Sequence, residues 1–161
     1  MSLFNFNKKK DFYAPVSGKL IDLKDVNDVV FSSGAMGEGY GVIPVDGNIY
    51  SPVEGEVSQL FPTKHAVGLK FGKMEVLVHI GIDTVDLKGD PFETMVKVGD
   101  KVDHETILVK ADFDKIKAAK KDTTTMVLIT NSKDILKEYS SLTSFDSHVD
   151  HDSKVAEVKE K

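Results

Sequence analysis

Two histidines, His65 and His79, fall inside the stretch FPTKHAVGLKFGKMEVLVHIGIDTV, residues 61–85, which otherwise reads as apolar, strand-forming sequence. Strand interiors seldom need an ionisable ring, so the pair calls for a chemical reason. Each neutral imidazole offers one donor and one acceptor. Two held close together resist double protonation, because two cations would repel. Such a pair suits metal ligation, or group transfer in which one ring attacks as nucleophile and the other donates a hydrogen bond. A lone strand histidine is ordinarily structural, but two that can meet across a turn are harder to read that way. Thr63 lies two residues before His65. On a strand that spacing puts its hydroxyl on the face of His65, where it can orient the ring.

The turn between the histidines decides whether they meet. Gly72 supplies a positive φ at little cost, and a three-residue turn Phe71-Gly72-Lys73 pairs His65 directly with His79. In that register His65, Val67 and Leu69 share one face with His79, Leu77 and Glu75. A slip of one residue puts the two rings on opposite faces.

The surrounding elements read as mostly β. Short apolar runs such as GKLIDL, YGVIPV, KMEVLVHIGI and TTTMVLIT recur between turn signals at Asp46-Gly47, Glu54-Gly55 and Gly99-Asp100. Many short strands at close spacing predict an all-β protein, an antiparallel β-sandwich or flattened barrel. Two short helical turns are expected. DFDKIKAAKKDT has Phe113, Ile116 and Ala119 at helical spacing behind Asp112 as N-cap, and KDILKEYSS follows the MVLIT strand. The tail from Ser144 is polar, and only Val155 to Val158 are expected to add an edge strand. Residues 1–11 are expected to be a flexible amino-terminal segment ahead of a single domain, 12–161.

Composition narrows the partners. The chain has 161 residues, 40% of them hydrophobic, and a formal net charge of -5. Every basic residue is lysine, so no guanidinium clamp is available, and the acidic balance disfavours nucleic acid. With no cysteine there is neither a disulfide framework nor a thiolate metal site. The absence of a signal-like or membrane-spanning segment favours a cytoplasmic protein. His104 reads as an exposed turn residue, and His148 and His151 as part of a solvated tail.

Several motifs now converge on one family. VLVHIGIDTVDLKGD, Val76 to Asp90, resembles the phosphorylation-site signature of the glucose-type enzyme IIA proteins of the bacterial phosphoenolpyruvate:sugar phosphotransferase system. PTKHA, Pro62 to Ala66, is similar to the segment carrying that family's second histidine. APVSGKLIDLKDVNDVVFSSGAMGEGYGVIPVDGNIYSPVEGEV is similar to its amino-terminal half in order and spacing, and VKVGDKV and TMVLITN resemble later elements. The resemblance covers residues 12 to 158.

It implies that His79 accepts phosphate, that His65 hydrogen-bonds the phosphoryl group, and that Thr63 supports His65. Asp28 and Asp83 match acidic residues beside the site. Val30, Phe31, Ala35, Met36, Phe61 and Leu77 match a shallow apolar partner-binding face. The implied partners are the histidine phosphocarrier protein and the IIB domain of a sugar permease, together with regulatory targets. No cofactor is required, and zinc on His65 and His79 is expected only in a regulatory complex where a partner adds a carboxylate. The opening MSLFNFNKKK, with Leu3, Phe4 and Phe6 ahead of Lys8, Lys9 and Lys10, is a candidate for weak membrane association through residues 1–10.

Other readings use the same residues. A zinc-dependent peptidase needs a third ligand and a general base, and no H-E-x-x-H pattern is present. A biotin or lipoyl carrier domain is suggested by VKVGDKV and by Lys73-Met74 near a hairpin tip, but it leaves the histidine pair unexplained. A plain binding module with structural histidines is the third.

Overall fold

A computed structural model describes residues 8–161. Its strands in chain order are β1 (Lys10–Tyr13), β2 (Gly18–Asp22), β3 (Glu38–Pro44), β4 (Asn48–Tyr50), β5 (Gly55–Leu60), β6 (Ala66–Phe71) and β7 (Met74–Ile82). They continue as β8 (Phe92–Thr94), β9 (Lys101–Val102), β10 (Ile107–Ala111), β11 (Asp122–Ile129), β12 (Leu136–Ser141), β13 (His148–Val149) and β14 (Lys154–Glu160). An eight-stranded sheet has the order β13-β2-β3-β11-β7-β6-β5-β9, and two three-stranded sheets have the orders β1-β14-β12 and β4-β10-β8. Every pairing is antiparallel, as expected of a flattened sandwich.

The middle of the large sheet is buried on both faces, and its two faces do different work. Val67, Leu69, Val76, Val78, Ile80, Val127 and Ile129 point into the main core, where they meet Phe12, Ile49, Leu108 and Val155 from the smaller sheets. The alternate residues Ile21, Met126 and Leu128 join Leu23, Val26, Phe31 and Ile82 in a second cluster on the opposite face. This is why β11 reads as the unbroken apolar run MVLI: a strand covered on both sides has no polar alternation to show. The cover on the second face is a 3-10 turn at Leu23–Asp25 and the one-turn helix α1 (Val29–Ser32).

The expected helix over DFDKIKAAKKDT forms as α2 (Phe113–Ala118), where Asp112 accepts a hydrogen bond from the Lys115 N–H at 3.2 Å and Ile116 is fully buried. In KDILKEYSS only the start is helical. The turn α3 (Ser132–Ile135) ends where Leu136 enters β12.

Two expectations about the carboxyl end are corrected. β14 is longer than Val155–Val158, and it is the central strand of its sheet, not an edge. Its partner β1 begins at Lys10, inside the segment expected to precede the domain. The tail is also less solvated than its polarity suggests. His151 stacks on Tyr50, with ring centroids 3.7 Å apart. Outside the tail, His104, expected as an exposed turn residue, is half-buried and stacks on Tyr13 at 4.1 Å.

The β6–β7 hairpin carries the histidine stretch, and its turn is one residue shorter than expected. Phe71 pairs with Met74, leaving the two-residue turn Gly72-Lys73. Gly72 has φ +61°, as the first central residue of a type II′ turn requires. The tip is clasped by the chain ends. The Glu160 carboxylate accepts from the Lys73 N–H and lies 2.7 Å from the Lys10 ammonium, which itself sits over the Phe71 ring.

Candidate functional site

The shorter turn shifts the ladder, so Ala66, not His65, lies opposite His79. Val67 and Leu69 therefore share the core face with Val76 and Val78, and the expected grouping of His65, Val67 and Leu69 with His79 and Leu77 does not form. The rings meet nonetheless. Strand alternation does not bind His65, because β6 begins only at Ala66. Lys64 turns the chain just before it, with φ +60°, and the His65 carbonyl is held by the Ile80 N–H at 2.7 Å. The result is an edge-on pair of imidazoles with centroids 5.0 Å apart and planes at 80°.

Each ring has its own orienting partner. Thr63 Oγ1 lies 2.7 Å from His65 Nδ1. His79 Nδ1 lies 2.8 Å from the Gly81 carbonyl oxygen. A carbonyl can only accept, so Nδ1 of His79 carries the proton and the Nε2 lone pair is free. Phe31 of α1 packs on His79 with centroids 4.9 Å apart, and Phe61 meets His65 edge-on at 5.7 Å.

This wall of rings sets the electrostatics. Burial, reinforced by the neighbouring His65, pushes the His79 pKa down to about 4. The Gly81 carbonyl, Asp28 and Asp83 favour the cation but are outweighed. Burial also lowers the His65 pKa. Both rings are thus neutral at physiological pH, which is the state a nitrogen nucleophile needs.

Of the other residues expected at the site, Phe31 and Phe61 pack on the two rings, and Asp28 and Asp83 lie close enough to act on His79. Asp28 caps α1, accepting from the Val30 N–H at 2.8 Å. Asp83 follows the end of β7 in a left-handed conformation, φ +61°. Phe31 is buried, Met36, Phe61 and Leu77 are half-buried, and Val30 and Ala35 are exposed. Val29, which the sequence did not single out, is the most exposed large apolar residue described, at 76%. Gly81 and Thr84 were also missed. A glycine two residues after a strand histidine is the signal that marks such a bend.

Metal chemistry finds little support in this geometry. A tetrahedral zinc site needs three or four protein donors. Among the described residues no third His, Asp or Glu gathers with His65 and His79 into a metal-binding group. Lys73 does sit at a hairpin turn, as a carrier lysine would, but its ammonium reaches the Lys161 carbonyl.

A sandwich that offers one free imidazole nitrogen beside a second, oriented imidazole has the donor and acceptor set that group transfer through nitrogen needs. Known proteins agree. The profile of the family described as "phosphoenolpyruvate-dependent sugar phosphotransferase system, EIIA 1" matches residues 10–135. The glucose-specific EIIA component of Halalkalibacterium halodurans is 47% identical over 120 residues, covering 74% of this chain and 69% of that protein. The glucose-specific EIICBA component of Streptococcus pneumoniae serotype 4 is 48% identical over 123 residues, or 76% of this chain but only 17% of that longer protein. Among solved structures, glucose permease IIA from Mycoplasma capricolum superposes with a TM-score of 0.81 at 31% identity, covering 94% of this chain and 97% of that one.

The chain belongs to the EIIA 1 family of the phosphoenolpyruvate-dependent sugar phosphotransferase system. It is a phosphotransferase component that relays phosphate in sugar uptake, and the peptidase and carrier-domain readings are set aside. The family implies a phosphocarrier donor and an IIB acceptor. Among the described residues no helix is long and apolar enough to cross a membrane.

Proposed function

We propose that His79 Nε2 is the phosphoryl acceptor, taking phosphate from the histidine phosphocarrier protein and passing it to the IIB domain of a glucose-family permease in the cytoplasm. The observation that carries this reading is the Nδ1–H bond from His79 to the Gly81 carbonyl, 2.8 Å long, which leaves Nε2 as the one nucleophilic nitrogen. As its lone pair forms the new N–P bond, the donor's N–P bond breaks and the donor imidazole keeps the electron pair. Transfer through a loose transition state leaves the protein to position and to stabilise charge. In this scheme the Thr63 hydroxyl, 2.7 Å from His65 Nδ1, donates to it, so that His65 Nε2 carries a proton and hydrogen-bonds a phosphoryl oxygen. No arginine is present to trap the phosphate. Val30, Phe31, Ala35, Met36, Phe61 and Leu77, flanked by Asp28 and Asp83, form the docking rim. The glucose-specific relatives support glucose as the sugar.

The test is phosphorylation by phosphoenolpyruvate, the general phosphotransferase enzyme and the phosphocarrier, followed by site mapping. A single acid-labile, base-stable phosphate is expected on His79, and His79→Gln abolishes it without unfolding. His65→Gln still accepts phosphate but passes it to the IIB domain at least a hundredfold more slowly, matching the loss of one oxyanion donor, about 3 kcal/mol. Phosphate on another residue, or wild-type transfer by His65→Gln, overturns the assignment.

No cofactor is required in this scheme. The isolated chain is expected to bind zinc only weakly through His65 and His79, with tight binding confined to a complex in which a regulatory partner adds a carboxylate. Residues 1–7 of the proposed membrane-associating segment lie outside the described residues. Of its lysines, Lys10 is engaged by Glu160, and Lys9 lies 3.7 Å from Glu157. Salt-sensitive binding to anionic vesicles, lost on removal of residues 1–10, tests that association.

A further inference from the structure

The nucleophilic nitrogen of His79 is selected by a short stretch of backbone, and that backbone has a buried holder. Gly81 has φ +78°, a conformation that turns its carbonyl back towards the ring two residues earlier. The ladder makes room for this. On β11, Asp122 pairs with Ile82 and Thr125 with Ile80, so Thr123 and Thr124 stand opposite the single residue Gly81. Such a bulge re-aims the chain beside it. No side chain fits at position 81, because a Cβ there would lie 2.5 Å from Thr84 Cγ2 and 2.8 Å from the Asp122 carbonyl oxygen. Thr84 is fully buried, and its hydroxyl donates to the Ile80 carbonyl at 2.5 Å. The Ile80 carbonyl and the Gly81 N–H belong to one peptide plane. The Thr84 hydroxyl therefore holds the plane on which the Gly81 φ turns, while the Thr84 methyl fills the space that a side chain at Gly81 would need.

We propose that Thr84 is a positioning residue for phosphoryl transfer: through Gly81 it fixes His79 as the Nδ1–H tautomer and so keeps the lone pair on Nε2. The proposal rests on His79 being the acceptor. An imidazole with neither nitrogen held exchanges its proton between both, and the fraction protonated on Nε2 cannot attack through it. Removing the Thr84 hydroxyl leaves the 80–81 peptide without its restraint and the Ile80 carbonyl one donor short. The Gly81 carbonyl then no longer holds Nδ1–H in place. Thr84 touches no phosphate in this scheme and acts only through the bulge.

The test reads the ring directly. Long-range proton–nitrogen correlation spectra of the unphosphorylated, uniformly labelled protein report which imidazole nitrogen bears the proton. Wild type is expected to show a single Nδ1–H tautomer at His79. Thr84→Val keeps the volume and loses the hydroxyl, so its His79 nitrogens shift towards an average of the two tautomers and phosphoryl acceptance slows about tenfold. Thr84→Ser keeps the hydroxyl and restores both readouts. A folded Thr84→Val with the wild-type tautomer, or with wild-type acceptance, overturns the proposal. Should Thr84→Val not fold, the wild-type spectrum decides. Averaged tautomers at His79, or a Thr84 hydroxyl proton that exchanges as fast as an exposed one, overturn it equally. Site mapping separates the two claims. Phosphate found away from His79 defeats the acceptor assignment, whereas the tautomer measurement needs no phosphate at all.

Discussion

At the scale of single residues, the contact between Phe31 and His79 matters most. Phe31 is only 8% exposed and covers one side of the His79 ring. Phe31→Ala is expected to raise the His79 pKa from about 4 towards the ordinary 6.5, read by NMR titration of the ring protons, and to cost about 3 kcal/mol of stability. An unmoved pKa would assign the shift to other walls of the site. The same depression has a sign in stability. The folded ring binds a proton less readily than the unfolded one, so as the pH falls the unfolded chain gains the proton first. The contribution of His79 is present above about pH 6.5 and disappears as the pH falls towards 4. Denaturant midpoints measured across that window should slope downwards with acid in wild type and less steeply in His79→Gln.

At the scale of elements, the site is made by two departures from regular strand geometry. One is the left-handed Lys64 ahead of β6, and the other is Gly81 near the end of β7. Gly81→Ala is expected to cost about 1–2 kcal/mol from the positive φ alone, with a backbone collision added. Thermal unfolding together with loss of phosphoryl acceptance measures it. These departures also mark how far the sequence could be read. The strands, the Asp112 cap and the meeting of His65, Thr63 and His79 were legible, because apolar period, cap chemistry and motif spacing are local properties. The register was not. A turn of two residues and one of three are both compatible with Phe71-Gly72-Lys73, and strand alternation was applied to His65, a residue that lies outside the ladder. The central place of β14 was hidden for a different reason. A charged strand between two short partners looks like a tail until its pairing with Lys10–Tyr13 is known.

At the scale of the whole molecule, the first and last strands described close over the tip of the hairpin that carries the histidines. Glu160 joins Lys10 of β1 to the backbone of Lys73, and a side chain at Gly72 would run into the Lys10 ammonium. Glu160→Ala is expected to lower stability by about 1–2 kcal/mol, the worth of a charge-assisted hydrogen bond with a partly exposed ion pair. It should speed hydrogen exchange at Lys73 while leaving the phosphate on His79.

The clasp also sets a geometry for any covalently joined neighbour. β7 runs from Met74 at the clasped tip to His79 five positions on, a distance of about 17 Å at strand rise. A neighbour whose tether ends at Lys10 starts beside the hairpin turn and has to double back along the sheet to reach the proposed acceptor. A flexible tether has a root-mean-square reach of roughly 5–6 Å × √n, so on the order of ten residues are needed to cover that return. Shorter or stiffer tethers hold the neighbour out of range. Tether length then acts as a throttle on the effective concentration of a fused partner at the proposed phosphoryl site.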